Sequence, residues 1–326
     1  MPMKEFVPLI CPIHQKPLTR QNDTDYSCPK GCKYPINYSI PRFVPLKNYA
    51  ESFGLQWNKF RQTQLDSFTH THISRDRLTR LFDGDLSIVK DKMILECGCG
   101  AGRFTEILLS EGARVFAIDI SSAVEANYET CKDFENYFVC QADIYGLPVE
   151  HDRFDIVCCI GVIQHTPDSE RTIQTLCSYV KPGGLLVIDH YTYGYPETPV
   201  RKGIRKILVH CFSEYSLKMV KMITSVFWPV HSFLWKYNQN IVIQKLRQVF
   251  LFLSPVVDYH EAYPTLDENL LKVWALLDTH DTLTDVYKHL RSAEEIFSYL
   301  EKCGMISIKT YYAGNGVEAR AIKPLK

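Results

Sequence analysis

Three glycines at alternate positions, Gly98, Gly100 and Gly102, follow closely on a carboxylate, Glu96, and a second carboxylate, Asp119, comes 23 residues after the first. Glycine at such positions lets backbone approach a bound molecule where any side chain would collide. A carboxylate at the end of the next apolar run can accept both hydroxyls of a ribose. A third carboxylate, Asp143, ends the run after that, and Lys181-Pro-Gly-Gly184 turns into another. The pattern is that of a ribose-bearing ligand laid along backbone and read by carboxylates.

A second constellation lies near the N-terminus. Cys11-Pro-Ile-His14 and Cys28-Pro-Lys-Gly-Cys32 are two close pairs of ligand-forming side chains, with Pro12, Pro29 and Gly31 supplying turn chemistry. Paired ligands on tight turns are the usual way a tetrahedral Zn2+ obtains its four donors. So small an element needs a metal to hold it together, and four protein ligands leave no open position, so Cys11, His14, Cys28 and Cys32 read as a structural zinc site. A Cys28/Cys32 redox pair is the alternative for the same thiols. Tyr34-Pro-Ile and Ile40-Pro-Arg-Phe-Val-Pro read as extended connectors, because proline disfavours helix before it.

The elements that must position the carboxylates alternate short apolar runs with amphipathic stretches, the signature of a parallel α/β sheet. The expected strands are 93–96, 114–119, 138–140, 154–160 and 185–190, with helices over 103–111, 121–132 and 168–180. Each strand then delivers its polar residue at the carboxyl edge, where open α/β sheets bind ligands. Near the C-terminus, Ser292-Ala-Glu-Glu295 forms a capping box that opens a helix to Cys303, closed by Gly304. Two strands, 306–312 and 317–322, follow around Asn315-Gly316, a hairpin signal.

Composition bounds the class. The chain has 326 residues, 46% of them hydrophobic and 12% aromatic, with 37 basic residues balancing 37 acidic ones. That excludes wholesale disorder and any global field towards nucleic acid or anionic lipid. The length suggests about two domains, or one with a large insertion. The opening residues show no basic start followed by an apolar core, so no secretory signal is expected. The apolar run from Met222 to Trp235 is too short to span a bilayer. Nine of the 12 cysteines are scattered through apolar segments as small hydrophobes, and so many thiols in a secreted chain would risk mispairing. The expected location is cytoplasmic.

Taken together, Glu96-Cys-Gly-Cys-Gly-Ala-Gly102, Asp119, Ala142-Asp143 and Lys181-Pro-Gly-Gly184 resemble the successive motifs of the class I S-adenosylmethionine-dependent methyltransferases. The resemblance covers residues 90–190 and returns over 291–324. It implies an α/β fold: a doubly wound, mostly parallel seven-stranded, Rossmann-like sheet, here with a helical cap insertion and a small N-terminal zinc ribbon. The implied divisions are 1–46 for the ribbon-like segment, 47–191 for the first part of the core, 192–290 for the cap, and 291–326 for the last helix and strand pair.

The implied cofactor is S-adenosylmethionine. By the resemblance, Glu96 lies near its amino group, and Gly98, Gly100 and Gly102 pass beneath its methionine portion. Asp119, with Ile120 beside it, holds the ribose; Asp143 contacts the adenine amino group, and Ile144 flanks the base. Ile160-Gly161-Val162-Ile163-Gln164-His165 resembles the family's fourth motif, which puts Gly161 and Val162 where methyl donor and acceptor meet. A nicotinamide-binding domain would carry its third glycine one residue later, where this chain has Arg103, and would not predict Glu96.

Methyl transfer from a sulfonium depends mostly on positioning and exclusion of water. A general base is needed only for a hydroxyl or similarly weak acid. His165 and His190 are the expected catalytic residues; His260 and the Asp278-Thr-His280-Asp281 cluster are further candidates, the cluster also as a divalent-metal site. Upstream, the stretch from Tyr49 to Phe60 reads as a helix whose Gln56 and Trp57 close over the cofactor, unless Trp57 is a core anchor.

The cap carries the question of partners. Between residues 201 and 247 nine Lys/Arg stand against one acid, Glu214, among Phe227, Trp228, Phe233 and Trp235. A basic, aromatic-rich helical face suits peripheral contact with an anionic membrane or a lipid-linked substrate, RNA phosphates, or simple packing on the core with solvated lysines. The expected reaction is methyl transfer to an O or N atom of a small-molecule, saccharide or lipid-linked acceptor. Two alternatives stand beside it. One is ribosomal RNA base methylation, because zinc-ribbon enzymes of that kind resemble the chain in ribbon and first motif. The other is a non-catalytic scaffold that keeps the cofactor fold.

Overall fold

The computed structural model describes residues 5–45, 48–194 and 197–325. Four short strands, β1 (Thr19–Gln21), β2 (Asp25–Ser27), β3 (Lys33–Asn37) and β4 (Ile40–Pro41), form an antiparallel sheet in sequence order. This is the N-terminal ribbon; the division expected at residues 46–47 lies outside the described residues. Helices α1 (Glu51–Lys59), α2 (Asp66–Thr69) and α3 (Ile73–Leu81) then lead into the main sheet.

That sheet is built by β5 (Met93–Cys97), α4 (Thr105–Ser110), β6 (Arg114–Asp119), α5 (Ala123–Cys131), β7 (Tyr137–Gln141), β8 (Phe154–Cys159), α6 (Ser169–Tyr179) and β9 (Val180–Tyr191). The cap follows as α7 (Pro199–Leu208), α8 (Ser213–Lys236), α9 (Ile241–Leu253) and α10 (Glu268–Thr284). The chain returns to the core with α11 (Ala293–Lys302), β10 (Ile306–Ala313) and β11 (Gly316–Ile322).

Strand order is β10-β11-β9-β8-β5-β6-β7. The strands from β5 to β9 pair in parallel, and β11 pairs antiparallel with both β9 and β10. The order reverses between β5 and β8, which opens a crevice at their carboxyl ends. Both faces are covered, so the strands read as near-continuous apolar runs. Leu95, Phe116, Phe138 and Val157 pack into one core layer, while Ile94, Val115, Val139 and Ile156 pack into the other. Cys97, Cys140, Cys158 and Cys159 are fully buried within these strands.

One expectation is corrected here. Lys181 to Gly184 do not form a separate turn: β9 runs through them, with a register shift opposite Phe154 and Ile156. A Cβ at Gly184 would lie 2.8 Å from the Asp155 carbonyl oxygen, so glycine permits the close approach of the two strands.

Three of the four cap helices start where a side chain satisfies their first free N–H groups; α8, which follows Phe212, does not. Thr198 caps α7 with Pro199 behind it, Asn240 caps α9, and Asp267 caps α10. Trp228 of α8 packs with Leu271 and Trp274 of α10, and Leu208, Val220 and Leu283 tie α7, α8 and α10. The capping box of Ser292 and Glu295 opens α11 as the spacing requires. Among the described residues no helix is long and apolar enough to cross a membrane.

Candidate active site

One cavity sits over the carboxyl ends of β5, β6 and β8. Gly98, Gly100, Asp119, Ile120, Asp143, Ile144, Gly161 and Val162 all line it. Gly98 has φ +77°, and a Cβ there would lie 2.2 Å from a methyl of Val162, so this glycine lets the loops after β5 and β8 close on each other. Gly100, at φ +49°, lies under the indole of Trp57, which a Cβ would reach at 3.4 Å. Asp119 accepts the Gly100 N–H through one oxygen (3.1 Å) and the Ser121 N–H and hydroxyl through the other (2.8 and 2.7 Å). Asp143 accepts the Tyr145 N–H.

Glu96 and Gly102 stand beneath this wall rather than in it. Glu96 is buried, accepts the Thr105 hydroxyl at 2.6 Å, and is pushed up to about 8 by burial, with the Asp119 charge adding to the effect. Asn127 and Tyr137 continue the chain of hydrogen bonds from Thr105. Gly102 packs against Thr130 and Cys131 of α5.

The opposite wall comes from distant segments. Trp274, Asp278 and Asp281 recur four and three residues apart on α10 and line the cavity together with Tyr259, Tyr263 and Phe53. Trp274 donates from its indole to the Thr63 carbonyl (2.5 Å), and the Tyr259 hydroxyl donates to Asp278. Arg103 lies against the Trp274 ring while donating to Ser74 (2.8 Å) and Gln64 (2.9 Å); burial pulls its pKa down to about 10. Arg77 and the Gly161 N–H grip the two oxygens of Asp189, each at 2.5 Å.

His165 stands where the two halves meet, its ring against those of Phe53 and Tyr191. Its Nδ1 is 3.2 Å from both the Tyr287 carbonyl and a carboxylate oxygen of Asp285. Its Nε2 is buried with no partner among the described residues, as is one carboxyl oxygen of Asp281. Asp285 is fully buried and held by Arg205 (2.6 Å) and Lys288 (3.3 Å). Burial alone would lower the pKa of His165, but the adjacent Asp285 carboxylate and the charge of Asp281 outweigh it and leave the pKa raised. Burial pushes Asp281 up to about 7.

Residues 95–188 match the family model described as a methyltransferase domain. The chain carries a class I S-adenosylmethionine-dependent methyltransferase domain. It is 36% identical over 101 residues to a ubiquinone biosynthesis O-methyltransferase of Coxiella burnetii, covering 30% of this chain and 43% of that one. It is 33% identical over 120 residues to the glycine N-methyltransferase of Mus musculus, covering 31% and 41%. The chain thus spans less than half the length of these curated relatives. Among solved structures, a putative S-adenosyl-L-methionine-dependent methyltransferase from Methanococcus maripaludis is 14% identical, with a TM-score of 0.45 over 87% of this chain and 97% of that one.

Within the methyltransferase domain, His190 does not line the cavity. Successive strand residues point to opposite faces: Tyr191 lines the cavity and Asp189 meets Gly161 at its rim, while His190 between them turns towards α6. There its ring nitrogens meet the Tyr191 carbonyl (2.8 Å) and Ser169 hydroxyl (3.1 Å). Burial lowers its pKa to about 4, so it is a neutral, committed side chain with no nitrogen to offer a substrate. The other candidates also resolve. His280 pairs with Gln56 at 2.7 Å, away from the cavity, so Gln56 braces the cap while Trp57 alone faces the glycine loop. His260 is buried between Asp258 and Glu268 and stacks on Trp228. Asp278, His280 and Asp281 do not converge on a common point for an ion; among the described residues Cys11, His14 and Cys28 do.

That last group is the ribbon site, with three of the four expected ligands; Cys32 approaches His14 but lies outside the mutual cluster of Cys11, His14 and Cys28. His14 Nδ1 lies 3.7, 3.6 and 3.4 Å from the sulfurs of Cys11, Cys28 and Cys32. A tetrahedron with Zn–S bonds of ~2.3 Å and Zn–N bonds of ~2.0 Å has N···S edges of about 3.5 Å. Backbone N–H groups of His14 and Lys30 point at the Cys11 and Cys28 sulfurs, both at 3.4 Å. The ribbon adjoins the methyltransferase domain directly: the Ile10 N–H donates to the Pro148 carbonyl, and Arg42 reaches Gln141 and Glu125.

Proposed function

We propose that the protein is an S-adenosylmethionine-dependent methyltransferase acting on an oxygen or nitrogen of a small acceptor, with a hydroxyl the group its base best suits. The observation that carries this reading is the partnerless Nε2 of His165, on a residue that lines the same cavity as the glycine loop and Asp119. The similarity to an O-methyltransferase and an N-methyltransferase supports both acceptor atoms.

The residues suit the cofactor. The narrow space between Gly100 and Trp57 would be filled by any side chain at position 100. Gly98 and Gly100 would take its methionine end, Asp119 its ribose and Asp143 its adenine amino group. The cofactor, when bound, supplies a methyl group already activated by a sulfonium. The work left to the protein is alignment, dryness and one proton.

His165 handles the proton. Its Nδ1 faces two acceptors and therefore keeps its hydrogen, leaving Nε2 as the basic nitrogen. The Tyr287 carbonyl holds that tautomer, and the Asp285 charge beside Nδ1 stabilises the imidazolium once the acceptor proton has moved; Arg205 and Lys288 hold Asp285 in place. Phe53, Tyr259, Tyr263 and Trp274 give the acceptor an aromatic enclosure suited to a planar or apolar body. In this reading the ribbon carries a structural Zn2+ on Cys11, His14, Cys28 and Cys32, and the 12 unpaired thiols suit a reducing cytoplasm.

Calorimetric titration of the zinc-replete protein with S-adenosylmethionine tests the reading. Saturable binding is expected, weakened about thirtyfold in Asp119→Ala, the loss of roughly 2 kcal/mol typical of a charged hydrogen-bond partner. A folded wild type that takes up no cofactor overturns it.

A further inference from the structure

The outer sides of α8 and α9 are unlike those of an ordinary surface helix. Met222, Val226, Val230 and Phe233 recur four, four and three residues apart on α8 and are 41–65% exposed. Val242, Leu246, Val249 and Leu253 repeat the pattern on α9 at 53–61% exposure. These residues are not spare core: α8 already buries Leu217, Val220, Trp228 and Leu234 on its other side. A helix apolar all round is normally covered all round, and exposed apolar patches of this extent mark interaction surfaces.

Charge decides the occupant. From Tyr215 to Val257 the sequence contains no Asp or Glu. Lys218, Lys221 and Lys236 are exposed on the flank of the α8 stripe, and Lys245 stands exposed within that of α9. A second copy meeting this face about a two-fold axis would set lysines against lysines, because the nearest acids, Glu214, Glu261 and Glu268, are already engaged by Lys59, Arg247 and His260. RNA would satisfy the lysines and leave the aliphatic side chains without partners. An anionic bilayer satisfies both, with headgroup phosphates for the lysines and the acyl boundary for the apolar stripes. We propose that α8 and α9 dock the protein peripherally on an anionic lipid surface.

The docking layer is one residue layer from the cavity. Trp228, on the inner side of α8, packs in one cluster with Trp274, which lines the acceptor wall. A protein seated this way holds its acceptor chamber close behind the lipid boundary. The proposal stands on the surface alone and does not depend on the reaction assigned to the cavity.

Flotation of the full chain with phosphatidylcholine vesicles containing about one third phosphatidylglycerol tests it. The expected result is co-flotation that is absent with pure phosphatidylcholine and falls about fivefold for each of Lys218→Gln, Lys221→Gln, Lys236→Gln and Lys245→Gln. The double variant Phe233→Asp/Leu246→Asp should lose flotation while keeping its thermal melt and its cofactor titration, since both positions are exposed. Absence of flotation by a wild type that melts cooperatively overturns the proposal, as does flotation unaffected by these variants. A dimer in sedimentation that the double variant dissociates, without vesicle binding, reassigns the surface to a second copy.

Discussion

The Asp285 carboxylate lies 3.2 Å from Nδ1 of His165 although 120 residues separate the two in the chain. The first follows the last turn of α10, the second ends the short 3-10 turn after β8, and their contact joins the cap to the sheet. In the proposed reaction Asp285 is a positioning residue, acting on an acceptor only through the imidazole.

Replacing His165 by Asn should lower the rate of methyl transfer to a hydroxyl acceptor by about a hundred- to ten-thousand-fold, with cofactor affinity unchanged by titration. Asp285→Asn should lower the rate and also move the acid limb of the rate profile to lower pH, because the carboxylate raises the imidazole pKa. A purely structural Asp285 would leave the position of that limb where it was.

Glu96→Gln should stabilise the protein at neutral pH. The folded pKa of about 8 stands above the ordinary 4.5, so the neutral carboxyl favours folding below pH 4.5 and that advantage is lost as pH rises towards 8. Glutamine keeps an acceptor for the Thr105 hydroxyl and carries no charge. Thermal melts of both proteins at pH 4.5 and 7.5 should coincide at the lower value and separate at the higher, with the variant more stable.

The buried neutral histidines act in the opposite direction. His190 and His280 are both depressed to about 4 from 6.5. Their contribution is present above pH 6.5 and lost as pH falls through 4, by about 3 kcal/mol for each. Denaturant titrations between pH 7 and 4 should show this decline, with a shallower slope in His190→Gln.

Chelation should unfold the ribbon while leaving the sheet. Metal analysis is expected to find one zinc per chain, and Cys28→Ser should reproduce the lowered melting temperature and the new protease sensitivity within residues 11–45. A chain that keeps its melt after complete removal of metal contradicts the structural role.

That the glycine loop and the strand-end carboxylates line one cavity was legible because each lies at the end of its own strand. Gly98, Asp119, Asp143 and Val162 can therefore be placed from spacing and resemblance alone. His190 was misread through strand parity: one residue along the strand exchanges cavity for core. Asp285, Arg77 and Gln64 went unread because only tertiary packing brings them to the crevice. A signal did exist in the run Trp274, Asp278, Asp281 and Asp285, whose steps of four, three and four put three acids and an indole on one helical face. Acids in that register beside an indole suggest an enclosed polar chamber rather than solvent.

The ribbon meets the main sheet at β7, the outermost strand on that side, where the Phe43 N–H donates to the Gln141 carbonyl beside a parallel bridge from Arg42. An outer strand with free peptide groups is a template on which foreign chains can add. The ribbon therefore covers the end of that edge at Gln141 as well as being a folded appendage. Loss of the ribbon fold would then appear first as strand-to-strand association of otherwise intact molecules, before any loss of the sheet itself.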